Sequence, residues 1–154
     1  MSNLISINNV NSLTLNNDTL ILEGIIELNK ITGRKGLFLT KTEVLDLISN
    51  KNINLKEMGR VEFGLGILDK IIYIFYDSAY IDKDNYLEML ESLTNAFYLY
   101  QASFDNTLTD EEILKYMKKC FDSECAGSIE LLESLSFDRL KQKLEDGNLY
   151  EWHS

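Results

Sequence analysis

Apolar positions along this chain recur at helical spacing in one segment after another. Ile21, Ile25 and Leu28 form one stripe, widened by Leu22 and Ile26. That spacing predicts a helix over about 18–32, with Asn17 or Asp18 as its N-cap and Gly33 as a left-handed stop. The basic pair Arg34-Lys35 suits the negative end of that helix dipole. Val44, Leu47, Ile48, Leu55 and Met58 share the next face, over 41–58. Thr40-Lys41-Thr42-Glu43 opens it as a capping box, in which the Thr40 hydroxyl and the Glu43 carboxylate each satisfy an end amide. Asn50, Asn52 and Asn54 are weak helix formers and predict a break near 50–53. Asp82 caps the clearest helix, over 83–104, where Tyr86, Leu90, Leu93, Phe97, Tyr100 and Phe104 alternate spacings of four and three. Thr109-Asp110-Glu111-Glu112 is a second capping box, followed by the apolar face Ile113, Met117 and Phe121 and the basic pair Lys118-Lys119. Ser128 and Ser136 are expected to cap two further short helices, the first with Ile129, Leu132 and Leu135, the second with Phe137, Leu140 and Leu144.

Between the second and third of these helices lies a different kind of stretch. Gly59-Arg60-Val61-Glu62-Phe63-Gly64-Leu65-Gly66 is rich in glycine, and the apolar run Ile71 to Tyr76 stands behind it. The run is β-branched and aromatic, which favours a strand. A strand needs a partner, and the candidates at 4–7 and 37–39 are short. Set among helices, the segment reads instead as a turn followed by a buried central helix over about 66–76. The expected fold is an all-α bundle of about six or seven helices in a single domain, 1–147, with an irregular segment at 1–16 and a tail at 148–154. The alternative is an α+β fold with a short strand at 71–76.

Composition sharpens this picture in three places. The 154 residues include no proline, so glycine must punctuate, and seven of the eight glycines fall where periodic segments end. The net charge of −10 is unevenly placed: residues 1–76 carry eight acids and eight bases, residues 77–154 seventeen acids and seven bases. An acidic half repels phosphate backbones and anionic lipid, so neither nucleic acid nor membrane is an expected partner; a basic protein is. The first basic residue is Lys30 and no apolar run approaches the ~18 residues of a membrane span, which points to a cytoplasmic protein.

The chemistry is sparse. Cys120 and Cys125 have neither zinc-ligand nor redox spacing and read as buried free thiols. His153 is the only histidine. Asp77, Asp82 and Asp84 lack the glycine and glutamate of a calcium loop and read as helix caps, so no metal and no cofactor is expected. The remaining candidate site is the glycine-rich turn. Gly64 and Gly66 precede a helix whose amides are positioned for an anion, Arg60 and Glu62 flank them, and Asp77 and Tyr80 lie just beyond. These six residues are the candidate binding set, with Arg60 and Glu62 expected to form a partly buried pair near Asp77 or Tyr80.

The blocks Gly59-Arg60-Val61-Glu62-Phe63-Gly64 and Tyr76-Asp77-Ser78-Ala79-Tyr80-Ile81, with the Phe97-Tyr98 pair and the Phe121-Asp122 turn, resemble a family of small bacterial proteins known only as a domain of unknown function. The resemblance spans most of residues 20–145. It implies a compact cytoplasmic bacterial domain and carries over no functional residue. Three function classes follow. The first is a non-catalytic protein-interaction module using the acidic second half or the glycine-rich groove. The second is a small-molecule-binding protein or enzyme with a pocket at Arg60, Glu62, Asp77 and Tyr80. The third is an acidic mimic of nucleic acid. Positive catalytic evidence is lacking, which ranks the first highest.

Overall fold

The computed structural model describes residues 11–60, 66–104 and 107–146, and every regular element among them is a helix. The six α-helices are α1 (Asn11–Thr32), α2 (Lys41–Glu57), α3 (Leu68–Phe75), α4 (Tyr86–Phe104), α5 (Asp110–Asp122) and α6 (Ile129–Asp146). The all-α reading therefore holds. No strand occurs at 71–76. Leu68, Ile71, Ile72 and Phe75 are buried while Tyr73 stands exposed, a spacing of three and four that only a helix produces. None of these helices is long and apolar enough to cross a membrane.

Several boundaries differ from expectation, each for a local reason. α1 begins at Asn11, so Asn17 and Asp18 lie inside it and not at its N-terminus. A capping residue acts only where the upstream chain leaves the helix, and 11–17 contain neither glycine nor proline to make it leave. The left-handed stop is Gly36, at φ 76°, not Gly33, which sits in a single 3-10 turn. Leu37 N–H donates to Thr32 O and Gly36 N–H to Gly33 O, the paired bonds of a Schellman ending. The extended residues that follow bury Leu37 and Leu39 and expose Phe38. They need no sheet partner, because the Asn29 amide donates to Leu39 O at 2.9 Å and accepts from Leu39 N–H at 3.0 Å.

Both capping boxes form, Thr40 with Glu43 and Thr109 with Glu112. Asp82 closes the turn at 83–85 instead of capping the helix, which begins at Tyr86 and not at 83: Asp82 accepts from the amides of Asp84 and Asn85, and Asn85 Oδ1 accepts from Asp82 N–H in return. The break near 50–53 is absent. The asparagines there serve tertiary structure instead, Asn50 donating to Glu91 at 3.0 Å and Asn54 to Asn95 at 2.6 Å. Both pairs advance in the same direction, so α2 and α4 run parallel. The two short helices expected after 128 are one continuous helix, α6. Ser128 caps it through Leu131 N–H, while Ser136 is buried mid-helix and its hydroxyl donates back to Glu133 O at 2.7 Å. Serine inside a helix satisfies itself in this way and so gives no start signal.

The central helix is α4 rather than the 71–76 segment. It packs against α2, α3, α5 and α6, whereas α3 has only eight residues to offer. The seam Tyr86, Leu90, Leu93, Phe97, Tyr100 and Phe104 is buried throughout. Tyr100 is fully buried, and its hydroxyl donates to Leu132 O at 2.6 Å, pinning α6 on α4. α1 covers α2 and α3 on one side of the bundle.

Candidate binding site

The sequence-predicted set divides into separate local structures. Glu62 and Gly64 lie outside the described residues. Gly66 takes a left-handed conformation, φ 80°, on entry to α3. Arg60 follows α2, and its guanidinium reaches α4, donating to Gln101 Oε1 and standing 5.6 Å from the centre of the Tyr98 ring. Gln101 in turn donates to Asp110 Oδ1 at 3.3 Å. This chain of contacts links α2, α4 and the start of α5.

Asp77 and Tyr80 belong to a different lock, in the turn after α3. Lys118 Nζ donates to Asp77 Oδ1 at 2.9 Å and to Asp122 Oδ2 at 2.8 Å. Burial pulls the Lys118 ammonium down, but the hydrogen bonds and charges of Asp122 and Asp77 outweigh it and hold the group above its ordinary range. The buried Ser78 hydroxyl donates to Asp122 Oδ1 at 2.6 Å and accepts from Tyr80 N–H. Lys35 Nζ donates to the carbonyls of Tyr76 and Ser78, tying the turn to the end of α1. The Tyr80 ring stands edge-on to Phe121, centroids 6.1 Å apart. Among the described residues Arg60 and Asp77 thus share no partner: Arg60 ties the end of α2 to α4, and Asp77 ties the turn after α3 to α5.

Sequence reasoning missed two surface hollows. One, of about 350 Å³, is lined by Phe38, Glu43, Lys83, Asp84, Tyr86, Leu87, Glu88 and Glu91. Four carboxylates face one ammonium there. Phe38 is 63% exposed, yet its ring is seated: a methyl group on Gly33 would lie 2.6 Å from its tip. The other, of about 340 Å³, lies between α1 and α3 and is lined by Gly24, Leu28, Asp69, Lys70, Tyr73, Ile74 and Glu111. Lys70 Nζ pairs with Glu111 at 2.7 Å across it. That hydrogen bond raises the Lys70 ammonium, burial opposes it, and the charges of Glu111, Asp110 and Asp69 add to the rise. The available signals were a glycine inside the α1 stripe and a phenylalanine between two leucines.

The remaining reactive groups are quiet. Cys120 and Cys125 are buried and not joined in a disulfide, and burial pushes the Cys125 thiol up, with the charges of Cys120 and Glu124 adding to it, away from the thiolate that reacts. No cluster of three metal-ligating side chains occurs among the described residues. Burial lifts the Tyr86 phenol from its ordinary 10.0 to about 12, with the Thr32 hydroxyl opposing. The unfolded chain therefore releases this proton first as pH rises. The contribution is intact below pH 10 and is lost towards pH 12, on the order of 2–3 kcal/mol. Tyr86→Phe should be at least as stable as the parent in urea at pH 8, because the buried hydroxyl has no hydrogen-bond partner of normal geometry among the described residues, and its lead in urea midpoint should widen by pH 11. Equal losses in both proteins between those pH values would place the alkaline transition elsewhere.

The model for a family of unknown function, DUF6323, matches residues 24–149, well over half of the chain, and the chain belongs to that family. No curated protein and no solved structure matches it.

Proposed function

We propose that this member of DUF6323 is a non-catalytic protein-interaction module that receives a basic segment of a partner in the Phe38 hollow. The observation that carries the reading is an exposed aromatic ring held against Gly33 among Glu43, Asp84, Glu88 and Glu91. Interface hot spots are built on fixed aromatic anchors, because a ring already in place loses little entropy on binding. A guanidinium or ammonium stacked on Phe38 gains cation–π attraction together with the surrounding carboxylate charge. Three of those four carboxylates come from the acidic second half of the chain. The excess charge there supplies steering for a basic partner as well as solubility.

Cross-linking in the native host followed by mapping of the joined peptides tests this. The expected partner segment is basic and joins to residues around Phe38. Phe38→Ala and Glu88→Lys alter exposed side chains and should each remove the cross-link while shifting the melting temperature by no more than about 1–2 °C, as surface changes do. Gly33→Ala should weaken capture as well, by pushing the ring from its seat. An acidic or uncharged partner segment, or capture unaffected by Phe38→Ala, would refute the assignment.

A further inference from the structure

We propose that the groove between α1 and α3 is a second binding site, for a small organic cation with an apolar body and one ammonium head. It is independent of the Phe38 hollow and shares no lining residue with it. Its volume, about 340 Å³, sits at the lower end of the range for small-ligand pockets. That size suits a small molecule rather than a protein surface.

Gly24 opens the groove. A glycine inside a helix costs about 1 kcal/mol relative to alanine, so it calls for a reason. Packing does not supply one, because a methyl group there would meet nothing within 4 Å. Its bare backbone leaves the space beside Leu28 and Ile74 unfilled. Tyr73 forms the far wall, 59% exposed, with a ring face suited to a cation.

Charge selects the ligand. One ammonium, Lys70, is surrounded by the charges of Glu111, Asp110 and Asp69. Glu111 is engaged by Lys70, but Asp69 Oδ1 is buried and accepts no hydrogen bond. A carboxylate oxygen out of water and unbonded leaves its charge under-compensated. The position of Asp69 in the first turn of α3 accounts for a carboxylate in that place, through the helix dipole, but not for the unbonded oxygen or the hollow beside it. A cation in the groove compensates Asp69, and an apolar body covers Leu28 and Ile74.

Amide chemical-shift titration of the full chain with 2-phenylethylamine tests this, with phenylacetate as the anionic counterpart. The expected result is saturable shifts at Gly24, Lys70 and Tyr73 with a Kd of about 1 mM or tighter, and none from phenylacetate. Asp69→Asn should weaken binding at least about tenfold. Gly24→Leu should abolish it by filling the groove while the chain stays folded, since that position has room. Absence of saturation, an equal response to phenylacetate, or binding that survives Gly24→Leu would overturn the proposal. Saturation by an N-acetylated, amidated Leu-Arg dipeptide but not by the amine would also overturn it, by placing a peptide there. Phe38→Ala should leave the titration unchanged, so this site and the hollow can fail separately.

Discussion

Phe121→Ala is expected to lower the stability of the chain by about 3–5 kcal/mol, the range for truncating a buried phenylalanine. Phe121 is fully buried near the C-terminal end of α5. Its ring lies between two others, Phe75 of α3 at 5.6 Å and Tyr80 of the following turn at 6.1 Å, both nearly perpendicular to it. Removing it leaves a cavity that three elements border: α3, the 76–81 turn and α5. The turn cannot settle into that space freely, because Ser78 and Asp77 are bonded to Asp122 and Lys118 of the same helix. Limited relaxation puts a site at the costly end of such substitutions. In a domain of this size the melting temperature should fall by roughly 6–20 °C, with the urea slope unchanged. A loss under about 1 kcal/mol, more typical of a surface position, would mean that the packing of α5 on α3 is not where stability resides.

What the sequence made legible were features whose signal is local. The two capping boxes rest on four adjacent residues each, and both form as read. The 86–104 seam rests on a repeat within one helix, and each of its six members is buried. The reading failed where a residue's role depends on a distant segment. Asn50 and Asn54 are poor helix formers by themselves, and the helix persists through them because α4 supplies Glu91 and Asn95 as partners. Ser136 looks like a cap only if the preceding helix ends, and nothing in 129–135 ends it. The 71–76 run was read as helix from its surroundings and not from its own pattern, because an apolar hexamer shows no period until the exposed Tyr73 breaks the run in space.

The site reading met the same limit. Arg60, Asp77 and Tyr80 are neighbours of a glycine-rich turn in sequence, and charge beside glycine suggests a ligand. In space Arg60 reaches Gln101 and Tyr98 on α4, while Asp77 reaches Lys118 on α5. The partners lie about forty positions further on, beyond the reach of any local pattern. Gly24 and Phe38 are the positions on which the two proposed sites rest. Each breaks the expectation of its own segment, a bare position in a helix and an exposed ring between buried leucines. Local choices that disagree with their surroundings are where function is sought first.

Gly127→Ala should cost about 2–5 kcal/mol, more than the same change at Gly36, because two penalties coincide there. Both glycines adopt the left-handed conformation, φ 80° and 76°. An L-residue is disfavoured in that conformation by roughly 1–2 kcal/mol. At Gly36 nothing else opposes the methyl group, since no atom lies within 4 Å of where it would stand. At Gly127 it would lie 2.5 Å from Tyr80 Cβ and 2.6 Å from Cγ. Cβ is fixed by the backbone, so no side-chain rotation moves it clear. The turn that carries it is fixed by Lys35, Ser78 and Asn85, and Phe121 backs the ring. Overpacking of this kind adds about 1–3 kcal/mol. The double variant separates the terms, since Tyr80→Gly removes Cβ, Cγ and the ring together. Gly127→Ala should then cost less in the Tyr80→Gly background than in the parent, by at least about 1 kcal/mol in a urea-unfolding cycle, beyond the additivity of distant sites. Equal costs in the two backgrounds would show that Tyr80 does not clamp the α5–α6 connection, and would return its ring to the list of candidate ligand contacts.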